Sequence, residues 1–132
     1  MANNPAYAAT PKVSVGTISV ANTNRDGTGT IGTVFTAGAS GSRIDRAVIS
    51  AVGTTTAGMV RLFLHDGATA KFYCEMAVTA ITPSGTVKAF NGTFEAVSTP
   101  TLFPLVLPTG WSLRASTHNA ESFNVTAIGG DL

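Results

Sequence analysis

The clearest pattern in the chain is an alternation of apolar and polar residues between Gly58 and Ala80. In its second half the apolar positions are Phe72, Cys74, Met76, Val78 and Ala80, and in its first half they are Val60, Leu62 and Leu64. A period of two predicts strands with one buried face. Because His65-Asp66-Gly67 between the two halves is typical of a turn, we predict a β-hairpin.

The register of this hairpin follows from its hydrophobic pattern. A three-residue loop, His65–Gly67, places Val60 opposite Phe72 and Leu62 opposite Ala70, so that the apolar faces of the two strands coincide. The glycine at the third loop position suits the left-handed conformation that such a loop requires. We therefore expect this register rather than one with a two-residue loop.

The outward face of the predicted hairpin is unusually apolar. It carries Met59, Phe63 and Tyr73, beside polar residues. Exposed apolar residues of this kind can mark a contact with another protein. We therefore predict that these three residues belong to an interface.

Short strands with glycine and proline turns occupy the rest of the chain. They are predicted at 12–20, 30–36, 43–52, 86–96, 101–107, 111–118 and 123–128, with residues 129–132 as a tail. Segment 43–52 also suits a short helix, but the strand is preferred. A change of parity at Gly16 predicts a bulge in the first strand, and Asn91-Gly92 suggests a turn within 86–96. The pattern predicts a single all-β domain over residues 12–132, a β-sandwich or a jelly-roll-like barrel.

Residues 1–11 have no pattern that would dock them on this domain as a strand or a helix. They contain Pro5, Pro11 and a single aromatic residue, Tyr7. We interpret them as an extended N-terminal arm that lies across a neighbouring subunit, where Tyr7 buries its ring and Asn3 and Asn4 bond to backbone groups. The prolines limit the conformational freedom that such docking would cost.

The composition of the chain is unusual in its low fraction of charged residues. Only 11% of the 132 residues are charged, against about 25% in typical soluble domains. A monomer with so few surface charges is poorly protected against self-association, so we predict a homo-oligomer, specifically a trimer. The net charge of +1 disfavours direct binding to nucleic acid or to an anionic membrane.

The single cysteine and the start of the sequence indicate the compartment. Cys74 lies on the inward side of its strand, which predicts a small buried hydrophobe rather than a reactive thiol. One cysteine cannot form a disulfide within the chain. The first residues lack the basic start and apolar core of a signal peptide, so we expect synthesis in a cytoplasm.

Several motifs resemble sites that bind a cofactor or a metal ion, but the surrounding sequence argues against these functions. Gly27–Gly32 matches G-x-G-x-x-G, yet a strand pattern follows where a dinucleotide site needs a helix. Asn22–Gly27 resembles the first half of a calcium loop, but Thr33 stands where the closing glutamate belongs, and ion binding there stays open. The remaining candidate groups, without metal-site spacing, are His65, Asp66, His118 and Glu121. We expect no enzymatic activity, cofactor or metal site.

The C-terminal quarter of the chain resembles a known class of proteins. Its residues are Leu107-Pro108-Thr109-Gly110-Trp111-Ser112-Leu113-Arg114-Ala115-Ser116, then Glu121-Ser122-Phe123-Asn124-Val125-Thr126-Ala127, and Gly129-Gly130-Asp131. They are similar to small structural proteins of tailed double-stranded DNA bacteriophages and prophages. The resemblance implies a head decoration, or cement, protein that binds the major capsid protein across capsomer seams on the outside of the mature head.

Other functions remain compatible with the sequence. A tail or head–tail connector or spike subunit would show the same features, and a carbohydrate-binding or host-surface-binding β-module is a further alternative. The coat protein of a small RNA phage is disfavoured, because basic residues for RNA and a helical C-terminal half are missing from the pattern.

Overall fold

The computed structural model describes residues 9–94 and 102–132. Within these ranges the chain forms the strands β1 (Thr10–Ile18), β2 (Gly32–Thr36), β3 (Ser42–Ala51), β4 (Gly58–His65), β5 (Ala70–Val78), β6 (Asn91–Phe94), β7 (Leu105–Leu107), β8 (Ser112–Thr117) and β9 (Phe123–Asp131). The described chain contains no helix. The all-β prediction is confirmed, and so is the choice of a strand for the segment that includes Ile44 and Ile49.

The strands form two antiparallel sheets. The first sheet has the order β1-β9-β3-β6, and β7 pairs with the beginning of β3. The second sheet has the order β2-β8-β4-β5. No strand ladder joins the two sheets within the described ranges, so the domain is a β-sandwich rather than a closed barrel.

The core lies between the two sheets. Its largest fully buried members include Phe35, Phe103, Phe123, Ile44, Ile49, Leu62, Leu107 and Leu113. In β3 a register shift between Ile44 and Arg46 makes Asp45 the extra residue, so that Ile44 and Ala47 both point inward. The prediction of a buried Cys74 is confirmed, and burial, aided by the charge of Glu75, raises the pKa of its thiol to about 12.

The central hairpin forms, but the predicted register is wrong. His65 pairs with Ala70 across the turn, and Leu62 pairs with Cys74 instead of Ala70. A bulge opposite the Leu62–Phe63 step contains Tyr73 as the extra residue, and this changes the parity of β5. The apolar faces of β4 and β5 coincide because of this bulge. The loop between the paired residues His65 and Ala70 has an even number of residues.

The bulge also reverses the predicted sides of two residues. Phe72 is exposed on the outer face of the sheet, where its ring and that of Phe63 form a T-shaped pair with 6.0 Å between centroids. Tyr73 instead packs against the core, with its ring centroid 6.2 Å from that of Phe103. The predicted orientations, with Phe72 facing inward and Tyr73 facing outward, are therefore both wrong.

Strand β1 places its valines outward. It pairs with β9 without interruption from Thr10 to Ile18, so the predicted bulge at Gly16 is absent. Gly16 faces inward, and a Cβ atom there would lie 2.4 Å from the Thr33 carbonyl oxygen, because the backbone of β2 passes directly over it. The inward side of β1 therefore has no room for a continuous apolar face, and Val13 and Val15 are exposed.

Two further boundaries differ from the prediction. Asn91-Gly92 lies inside β6 rather than in a turn, paired with Ile49 and Ser50. The predicted tail continues β9, because Gly129, Gly130 and Asp131 pair with β1 and β3. A Cβ atom on Gly129 would lie 1.9 Å from the Arg43 carbonyl oxygen, which explains why glycine occupies the strand at the β3 bulge.

Candidate interaction surfaces

The outer face of the second sheet is covered by the protein's own chain. The covering segment, residues 21–31, leaves the end of β1 and leads to β2. Ala21 forms a bridge with Thr117 in β8, and the Arg25 side chain reaches Glu75 in β5, with 3.0 Å between Nε and Oε2. The segment therefore crosses the sheet from its β8 side to its β5 side.

A buried arginine lies beneath the covering segment. The Arg61 side chain is only 1% exposed, and its Nε donates a hydrogen bond to Glu75 Oε2 at 2.9 Å. Its Nη1 donates to the Asn22 carbonyl oxygen at 3.2 Å, and its Nη2 lies 3.2 Å from His118 Nδ1. Because a guanidinium can only donate, His118 Nδ1 is the acceptor in this pair. These contacts compensate for the burial of the charge.

Asn22 holds the covering segment in shape. Its Nδ2 donates to the carbonyl oxygens of Thr28 and Thr30, at 2.9 and 3.0 Å, and its Oδ1 accepts from the Asn24 backbone N–H at 3.0 Å. Asp26 Oδ1 accepts from the backbone N–H and the hydroxyl of Thr28. In Asn22–Gly27, the candidate calcium loop, these side-chain oxygens thus bond to the chain itself, as in an Asn/Asp-rich turn.

The carboxylates of this region are stabilised in their ionised forms. The hydrogen bond from Arg25 lowers the pKa of Glu75 most, and the charge of Arg25 and the contacts with Arg61 lower it further against the effect of burial. The hydroxyl and the backbone N–H of Thr28 lower the pKa of Asp26. Each of these groups therefore carries its negative charge at neutral pH.

The predicted interface residues do not form one exposed surface. Phe63 is fully buried, so the prediction that it faces solvent is wrong: its side of β4 lies under the covering segment. Tyr73 is half-buried, and its hydroxyl donates to the Leu102 carbonyl oxygen. Met59 is half-buried at the start of β4, and Asn3, Asn4 and Tyr7 lie outside the described residues. An interface role for the last three stays a prediction.

The outer face of the first sheet has no cover from the described chain, and we call the part of it that follows the β3 bulge the bare face. Strand pairing aligns its side chains in three rows, which are Val13, Ile128 and Arg46; Val15, Thr126, Val48 and Thr93; and Thr17, Asn124, Ser50 and Asn91. Each of these side chains is exposed or half-exposed.

The bare face is weakly polar and nearly uncharged. Val13 and Val15 are 64% and 56% exposed. Thr17 donates its hydroxyl hydrogen to Asn124 Oδ1 at 2.8 Å, so even some of the polar groups bond to each other. Among the residues of the three rows only Arg46 is charged. Depletion of charged residues is characteristic of the buried centre of protein interfaces.

This face was not predicted from the sequence, because no inward or outward side was assigned to the valines of β1. The alternation Val13-Ser14-Val15 identifies a two-faced strand, but it does not say which face is inward. The one local signal was Gly16, a residue without a side chain on the face opposite to the valines. An inward glycine indicates a close backbone approach, and this approach leaves the valines outside.

Neither a protein family, nor a curated protein, nor a solved structure matches this chain. The described residues contain no cluster of three or more His, Cys, Asp or Glu side chains with the geometry of a metal site. In the same part of the chain no helix is long and apolar enough to cross a membrane.

Proposed function

We propose that this protein is a structural subunit of a larger assembly and that the bare face is one of its docking surfaces. The assembly suggested by the C-terminal quarter is the head of a tailed bacteriophage. In this proposal the protein is a decoration protein that binds the major capsid protein on the outside of the mature head. The observation that carries the proposal is the nearly uncharged bare face with its two exposed valines.

Burial of this face would release free energy that the isolated subunit does not obtain. Transfer of a valine side chain from water to an apolar contact stabilises by about 1.5 to 3 kcal/mol when burial is complete. Val13 and Val15 are each more than half exposed, and they stand on neighbouring rows. A partner that covers both valines therefore gains a large part of that energy without separating any ion pair.

The size of the bare face indicates that it does not act alone. With strands about 4.8 Å apart and side chains of one face about 6.8 Å apart along a strand, the three rows cover about 350 Å². A standard interface buries about 800 Å² on each partner. Further segments must therefore contribute. Thr10 and Pro11, which were predicted as the end of the arm, belong to β1, the edge strand that carries the valines, so the rest of the predicted arm directly precedes this strand.

The proposal is tested by a charge on the bare face. Val15→Glu should leave the fold intact, because its side chain is already in water, but should weaken attachment to mature phage heads by about a hundredfold, since a buried unpaired charge is costly. Val87→Glu is the matched control, at 48% exposure in the connection between β5 and β6. The measurement is co-sedimentation of the purified protein with DNA-filled heads, together with its mass in solution.

Two results would contradict the proposal. Equal attachment of the Val15→Glu and Val87→Glu variants would remove the bare face from the interface. A protein that remains monomeric and binds neither heads nor tails would contradict the virion role itself. We expect a trimer in solution or on the head, with the Val15→Glu variant retaining the melting temperature of the wild type.

A further inference from the structure

A cleft opens between the covering segment and the turn that joins β4 to β5. It has a volume of about 360 Å³ and is lined by Asp26, Thr28 and Ile31 on one side, His65 and Thr69 on the other, and Arg114 from β8. Small-molecule sites in proteins commonly have volumes of about 300 to 1,000 Å³ and a few convergent polar groups. The cleft is therefore large enough for a single sugar or a molecule of similar size.

The walls of the cleft are held by hydrogen bonds within the chain. Gly27 has a φ of 86°, and a Cβ atom there would lie 2.1 Å from the Ala70 carbonyl oxygen, so the covering segment rests directly on the start of β5. Asp66 Oδ1 accepts from the backbone N–H groups of Ala68 and Thr69, both at 2.9 Å. A ligand would bind to preformed walls, which reduces the entropy lost on binding.

Arg114 supplies the strongest donor of the cleft. It is half-buried, and its Nε donates to Ser112 Oγ at 3.0 Å, which fixes the orientation of the guanidinium. Within residues 9–94 and 102–132 no carboxylate forms a salt bridge with Arg114. Its two terminal nitrogens therefore remain available to bind a carboxylate with two parallel hydrogen bonds.

The other polar side chains of the cleft restrict the chemical class of ligand that it can bind. His65 Nδ1 accepts from the Gly67 backbone N–H at 3.1 Å, so in the neutral ring Nε2 carries the hydrogen and is a donor. Asp26 places a negative charge on the opposite side, with one oxygen not used by Thr28. This charge would repel a dianion such as phosphate more than a monoanion, and its free oxygen can accept from a hydroxyl group.

We propose that this cleft binds a small hydroxylated carboxylate, such as an acidic monosaccharide unit, with Arg114 as the partner of the carboxylate. Asp26 and Thr69 are positioned to bind hydroxyl groups, and His65 contributes a further donor. The proposal does not rest on the assembly role, because the cleft and the bare face lie on opposite sheets of the sandwich.

The test is a titration of the ¹⁵N-labelled full chain at pH 7 and constant ionic strength with galacturonate, galactose and inorganic phosphate. Galacturonate should shift the backbone signals of Thr28, Ala68 and Thr69 and bind at least about tenfold more tightly than galactose, because charge-assisted hydrogen bonds are the strong ones. Equal binding of galactose, or equal binding of phosphate, would overturn the assignment of a carboxylate. Absence of shifts at these residues would overturn the site.

Two variants of cleft residues and one control variant test whether the ligand binds in the cleft. Arg114→Gln should weaken galacturonate binding by about ten- to a hundredfold while galactose binding changes little. Arg46→Gln is the matched control, since it removes an arginine from the bare face and should leave the titration unchanged. Ala68→Leu narrows the cleft at an exposed position without a change of charge, so it decides the question even if the Arg114 variant does not fold. Unchanged binding in both cleft variants would refute the proposal.

Discussion

The two outer faces of this sandwich have opposite chemistry and opposite cover. The face of the second sheet carries two phenylalanines and the Arg61–Glu75 pair, and residues 21–31 lie across it. The face of the first sheet carries valine, threonine and asparagine, and nothing in the described chain covers it. On these outer faces the charged side chain of Arg61 is thus buried while two valines are exposed, the reverse of the usual arrangement for a monomer.

The difference between the two outer faces indicates where a partner can bind. Phe63 and Arg61 look like surface residues in the alternation of β4, but their contacts are satisfied within the chain, so they offer a partner little. Val13 and Val15 look like core residues, but their contacts are missing. The interaction surface is therefore indicated by the exposed residues that lack contacts within the chain, Val13 and Val15, and not by Phe63 and Arg61.

The largest expected contrast comes from truncation of one apolar residue on each face. Phe63→Ala should lower the free energy of unfolding by about 3 to 5 kcal/mol, because it leaves a cavity under the covering segment. Val15→Ala should change it by less than about 0.5 kcal/mol, since its side chain is mostly in water. Urea unfolding of the isolated subunit measures both values, and similar losses in the two variants would contradict the comparison.

Removal of the buried arginine should have an effect of similar size. Arg61→Ala leaves the hydrogen-bonding groups of Glu75, His118 and the Asn22 carbonyl without their common donor, and we expect a loss of about 3 to 5 kcal/mol. Arg25→Ala removes the exposed partner of the same glutamate and should change stability little. Thermal unfolding of the two variants separates these cases, and a mild effect of Arg61→Ala would show that the covering segment is not held through it.

A smaller effect is expected from the residue that shapes the covering segment. Asn22→Ala removes three hydrogen bonds that fold the segment over the sheet, and we expect a loss of about 1 to 3 kcal/mol. Amide hydrogen exchange should increase at residues 21–31 and in β4, while the exchange of β9 stays slow. Uniform acceleration across both sheets would instead indicate that the segment unfolds only with the whole domain.

The smallest effect concerns pH. The pKa of Glu75 is lowered in the folded protein from its ordinary value of 4.5, chiefly by Arg25. Its contribution to stability is therefore present above pH 4.5 and is lost as the pH falls through the lower, folded pKa. Wild-type stability should fall more steeply than that of Glu75→Gln between about pH 5 and pH 3, measured by urea unfolding at each pH. Parallel curves would show that Glu75 gains nothing from its arginines.

The local features of this protein were predictable because they depend on neighbours in sequence. Alternation of apolar residues between Gly58 and Ala80 identified two paired strands, and Cys74 was correctly placed in the core. The glycine, proline and asparagine turns excluded long helices. The low charge of the chain predicted surface that other subunits cover, which stays a prediction.

The choice between the two faces of a strand was decided only by the tertiary structure. A period of two defines two faces, and the inward one is set by the partner strand and by what crosses it. The backbone of β2 over Gly16 turns the valines of β1 outward, and the bulge at Tyr73 exchanges the sides of β5. The cover over Arg61 comes from residues about 40 positions earlier in the chain, at Asn22. No local pattern contains that contact, because the two residues are 39 positions apart and meet only in the folded chain.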